Sequence, residues 1–174
     1  MPINMRAIFI SAIVFLLAGP NLYSEVARIA QGKAEYAQFL WGKSKENYRL
    51  RLSFLGKGVC IRPNPSVAEV RHLAAATIYV AAPWANKAVD ELCDAIKSGD
   101  YTEAPSDVDI SIYVSIEGPW DSIALEAAFS NDHKVMELYG KKFITNSAII
   151  KWLNRYVDPL SKVVENMTDT EKPL

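Results

Sequence analysis

"SVAEVRHLAAATIYVAAP", Ser66–Pro83, is the stretch on which the architecture turns. Ser66 followed three residues later by Glu69 is a capping-box pattern, which satisfies two otherwise orphaned backbone N–H groups and marks a helix start at Val67. Val67, Val70, Leu73, Ala74, Thr77, Ile78 and Ala81 then recur at helical spacing, and Pro83 is a residue that a helix interior does not accommodate cheaply. The pattern predicts one long helix up to Pro83. A second helix is predicted from about Ala85, burying Ala88, Val89, Leu92 and Ile96 and stopping at Gly99. Together they predict a mainly α fold (α+β) with a helical hairpin core.

Just upstream, Pro63 and Pro65 hold Arg62 and Asn64 in extended geometry through sterics on the residue before each proline. Cys60 sits in this elbow and Cys93 on the second helix; they are the chain's two cysteines. Their meaning depends on compartment: an even pair in an oxidising space forms a disulfide, whereas in the cytosol it stays reduced. A Cys60–Cys93 bridge would tie the elbow to the second helix and contribute roughly 3–4 kcal/mol in the chain-entropy account.

The compartment is argued from the N-terminus. Arg6 precedes "AIFISAIVFLLAG", Ala7–Gly19, an apolar run ended by Pro20. A spanning helix needs about 20 apolar residues, so this run suits the apolar region of a signal peptide, with a cut after Ser24 or Ala27; an uncleaved anchor and a buried core helix are the alternatives. The organisation expected is a signal peptide at 1–24, a single mainly helical domain at 25–167 and a disordered tail at 168–174. The folded part is then periplasmic or secreted, and touches a membrane only through an unprocessed N-terminal segment.

Elsewhere the periodicity changes. "EVARIAQGKAEYAQFLWG" reads as a helix. "YRLRLSFL", Tyr48–Leu55, alternates Leu50, Leu52 and Phe54 against Arg49, Arg51 and Ser53, the period of a half-buried strand, although it could also end the preceding helix. "VDISIYVSI", Val108–Ile116, is the clearest strand. Pairing the two would set Arg49 and Arg51 on one polar face with Asp109 and Glu117. Beyond it, "IALEAAFS", "HKVMELYG" and "AIIKWLNRYV" are each predicted as helices.

With 174 residues, 19 basic against 20 acidic and a net charge of -1, the chain is one domain in size and offers no bulk attraction to nucleic acid. Two histidines, His72 and His133, and two cysteines without paired spacing do not compose a metal site. No glycine-rich phosphate cradle and no nucleophile with its base stands out. A non-catalytic role without cofactor is therefore expected.

The run from about Tyr36 to Ile96 resembles the periplasmic immunity proteins of the type VI secretion amidase-immunity (Tai-like) family, through "YAQFLWGKSK", "GVCIRPNPSVAEV", "YVAAPW" and "KAVDELCDAI". That family usually carries four cysteines; this chain has two. The resemblance implies an exported, mostly helical, disulfide-stabilised protein that often dimerises and fills the cleft of a peptidoglycan-cleaving effector. The partner would be another protein, docked on a stiff loop with aromatic and arginine anchors. Arg62, Asn64, Arg71 and Trp84 are the candidates. A secretion-system or envelope accessory protein is the alternative, and an unrecognised periplasmic enzyme a second.

Overall fold

The computed structural model describes residues 22–55 and 65–169. Helix α1 (Leu22–Ser44) leads into strand β1 (Arg49–Phe54); then come α2 (Val67–His72), β2 (Ala76–Ala81), α3 (Asn86–Lys97), β3 (Ile112–Glu117), β4 (Ile123–Phe129), β5 (Val135–Leu138), β6 (Lys141–Ile144), α4 (Ser147–Tyr156) and α5 (Asp158–Asp169). The strands form a six-stranded sheet in the order β2-β1-β3-β4-β5-β6, antiparallel at every pairing. The fold is thus a helix layer on an antiparallel sheet, and the expected helical hairpin core is incorrect.

The error lies in the opening stretch. The capping box is present: Glu69 N–H donates to Ser66 Oγ, and Ser66 N–H donates to Glu69 Oε2 at 2.7 Å. But the helix ends at His72, and Ala75 N–H donates to the Phe54 carbonyl, handing the chain to the sheet. Thr77, Ile78, Tyr79 and Val80 are β-branched or aromatic, residues that suit a pleated surface. They continue as β2 in register with β1, Leu52 opposite Ile78 and Leu50 opposite Val80.

The pairing of "YRLRLSFL" with "VDISIYVSI" holds. Leu50, Leu52 and Phe54 lie opposite Ile116, Val114 and Ile112, and all six are buried under the helices. Arg49 and Arg51 share the other face with Glu117, as the alternation predicts, while Asp109 lies ahead of β3. "IALEAAFS" and "HKVMELYG" are strands, not helices. Alanine, leucine and glutamate favour helix weakly, by tenths of a kcal/mol per residue, and burial on both faces of the sheet overrides them. Tyr139 (φ 48°) and Gly140 (φ 76°) make the two-residue turn between β5 and β6, the left-handed pair that matches strand twist. A Cβ on Gly140 would meet no atom within 4 Å. Gly140→Ala should therefore cost about 1 kcal/mol from backbone strain alone, read as a lower melting temperature with an unchanged fold by circular dichroism.

Helices α1, α3 and α4 pack as a layer over the sheet. Two buried indoles pin them: Trp41 Nε1 donates to Asn86 Oδ1 at 3.0 Å, joining α1 to α3, and Trp152 Nε1 donates to the Ala88 carbonyl at 2.7 Å, joining α4 to α3. Tyr23, within the segment expected as a leader, packs edge-on against Phe143. Cys93 faces this layer, fully buried and free, its thiol pushed up to about 12 by burial. The expected Cys60–Cys93 brace cannot be placed, because Cys60 lies outside the described residues. The core among those residues is held by apolar packing.

Candidate functional site

The sheet's second face is polar, and one carboxylate organises it. Glu117, 1% exposed, receives Arg49 Nη2 at 3.4 Å and Arg51 Nη1 at 3.3 Å, with Arg71 Nη2 at 3.9 Å. Ser115 Oγ donates to Glu117 Oε1 at 2.9 Å. Arg51 also donates to Ser53 Oγ and to the Arg71 carbonyl, both at 2.9 Å, and so ties α2 onto the sheet. Val70, buried with Ile110, Tyr113 and Ala128, completes that contact. Three guanidinium groups on one carboxylate leave an excess of positive charge at this spot, partly answered by Asp121, 3.3 Å from Arg49 Nη2.

The β1–β3 register puts two turns at the same end of the sheet. Arg49 lies opposite both Ala81 and Glu117, so the ends of β2 and β3 flank the start of β1, one strand spacing of about 4.8 Å to each side. Beyond each end the chain reads Pro-Trp: Pro83-Trp84 after β2 and Pro119-Trp120 after β3. Trp84 is 85% exposed and Trp120 fully so. Trp120 and Asp121 have φ of 59° and 55°, a left-handed pair closed by Gly118 N–H donating to the Ser122 carbonyl at 2.8 Å. A Cβ on Gly118 would collide with the Tyr48 ring, so the turn approaches the sheet as closely as only glycine permits. At this end of the sheet the Arg49 guanidinium lies 4.3 Å over the half-exposed Tyr79 ring. A β-bulge, a register shift between Ile116 and Glu117, precedes the second turn and re-aims it.

Farther across this face, a cleft of about 400 Å³ opens between α2 and the strands β4 and β5. Arg71, His72, Glu126, Glu137 and Tyr139 line it, with Val67, Ala68 and Ile123 as apolar wall. Tyr113 Oη donates to Glu126 Oε2 at 3.1 Å. Burial holds the Glu137 carboxyl above its ordinary range; the Glu126 charge adds to this and Lys142 opposes it. Burial likewise pushes Tyr113 and Tyr139 up to about 12.

Of the residues singled out in the sequence, Cys60, Arg62 and Asn64 lie outside the described residues. Trp84 is exposed at the sheet end. Arg71 is engaged with Glu117 and lines the cleft instead of joining Trp84. His133 is bound to Asp158 and Asn154. Trp120, Arg49, Glu126 and Glu137 were not anticipated as site residues; the repeated Pro-Trp dipeptide is the one signal in the sequence that points to the first. No group of three or more potential metal ligands occurs among the described residues, and no described helix is long and apolar enough to cross a membrane. Comparison with protein-family models, curated proteins and solved structures yields no match to this chain.

Proposed function

We propose that this chain is an exported, non-catalytic protein-binding module, in its most specific form an inhibitor or immunity protein that occludes the active site of a cell-wall-degrading effector. One observation carries the reading: two exposed tryptophans on proline-led turns at the same end of the sheet, where Arg49 lies opposite both strand ends and stacks on Tyr79. Exposing two indoles forgoes several kcal/mol of burial, and Trp120 also sits in a left-handed conformation that costs on the order of 1 kcal/mol. Tryptophan, arginine and tyrosine are the residue types that dominate binding energy at protein interfaces. Proline fixes one backbone angle in each turn, so little order has to be gained on docking. The N-terminal apolar run supports export, and the resemblance of residues 36–96 supports an effector as the partner. That resemblance brings no support from the fold, because the helical architecture it implies is not the one observed.

The test is capture from the envelope fraction with the full-length tagged chain, followed by reconstitution with the purified captured protein. Trp84→Ala with Trp120→Ala should weaken the reconstituted complex by roughly a hundredfold or more, and the wild type should show a blue shift in tryptophan emission on binding. A double variant that captures and binds the same protein equally well would refute this surface. Emission shifts with purified glycan strands and with no protein would replace the reading by sugar binding.

A further inference from the structure

We propose that the cleft between α2 and strands β4 and β5 binds a small molecule through a primary alkylammonium group, held by Glu137 and Glu126. Glu137 is nine-tenths buried, being 9% exposed, and lines the cleft, yet its carboxylate makes no hydrogen bond or ion pair among the described residues. Largely buried carboxylates are ordinarily paired, whereas the oxygens of this one are not sealed from solvent and meet the water of the cleft. The sheet does offer a countercharge: Lys142 lies directly opposite Glu137 in the β5–β6 register. But Lys142 Nζ is committed elsewhere, donating to the Ser106 carbonyl at 2.8 Å and the Val108 carbonyl at 2.6 Å. The pair that the register would supply is left apart.

Glu126 sits two residues along β4 from Ala128, the strand partner of Glu137, and so is a diagonal neighbour on the same face. Its Oε2 is taken by Tyr113. The cleft therefore presents acceptors in excess: both oxygens of Glu137 and one of Glu126. The donor-rich group that matches converging acceptors is an ammonium, with three N–H donors on a point charge. Val67, Ala68 and Ile123 give the wall against which a short alkyl stem would lie. Of the positive groups nearby, Lys142 on β6 is held by backbone carbonyls, while Arg71 on α2 lines the cleft and leans toward Glu117 at 3.9 Å.

The experiment titrates the full-length chain with n-butylammonium, n-butanol and butyrate, following backbone amide shifts by NMR at pH 7. Saturable shifts at Glu137, Tyr139 and Gly140 are expected with butylammonium alone. Glu137→Gln should weaken that binding roughly tenfold or more, as loss of a charge-assisted contact does. The same substitution removes a charge that burial disfavours, so its melting temperature at pH 7 should equal or exceed the wild type's, which separates lost binding from lost folding. Glu126→Gln is the second variant and should weaken binding less. Equal shifts with butanol, no saturation with butylammonium, or unchanged affinity in a folded Glu137→Gln protein would each overturn the proposal.

Discussion

Glu117→Gln is expected to destabilise the fold by roughly 3 kcal/mol, seen as a lower urea midpoint with an unchanged slope. Glutamine keeps the shape of the side chain and can still accept from Ser115 Oγ, so the loss isolates charge. Arg51 is the side chain that suffers most, because it is only 13% exposed and has no other carboxylate in reach among the described residues. Removing one partner of a buried ion cluster leaves the others desolvated and unanswered, which costs far more than the cluster adds relative to an apolar substitute. It follows that Arg51→Met placed on Glu117→Gln should recover part of the loss, and the double-mutant cycle should give a coupling of at least about 1 kcal/mol. A single-variant loss below 1 kcal/mol would show that water reaches the cluster freely. The same variant should loosen α2, whose hold on the sheet runs through Arg51 and Arg71.

The second large effect is in the helix layer. Trp152→Ala should cost about 3–5 kcal/mol, the range for deleting a large buried aromatic whose cavity closes only partly. Trp152 is fully enclosed, packs on Tyr156 at 5.7 Å between ring centroids, and donates to the Ala88 carbonyl. Trp152→Phe keeps most of the volume and loses the donor, so a cost of about 1–2 kcal/mol is expected. Chemical denaturation of both variants checks this: if phenylalanine costs as much as alanine, the hydrogen bond and not the packing holds α4 to α3.

Some of this was legible from residue order. Strict alternation in "YRLRLSFL" and "VDISIYVSI" located two central strands and even set Arg49 and Arg51 on the face of Glu117. Proline and capping signals placed α3 and the start of α2. What failed was the extent of the helix after Ser66: apolar residues in "LAAATIYVAA" satisfy both the helical and the strand period, and only the β-branched and aromatic content of Thr77–Val80 favours the strand. "IALEAAF" carries no local strand signal at all, because its state is decided by β3 and β5 on either side. The site was less accessible still. Trp84 could be singled out from its turn, but Trp120 comes to the same end of the sheet only through β1 lying between β2 and β3, a pairing across more than sixty residues of chain. Glu137 is conspicuous only because Lys142, one strand away, reaches in another direction.

The enclosed sulfur of Cys93 has a practical corollary. A thiol that resists ionisation and touches no solvent cannot be alkylated by iodoacetamide until the molecule opens around it. Its modification rate in native buffer is thus a clock for rupture of α3 from its neighbours. Glu117→Gln should barely advance that clock if the two faces of the sheet let go separately, and should speed it by as much as the midpoint shift implies if they come apart together.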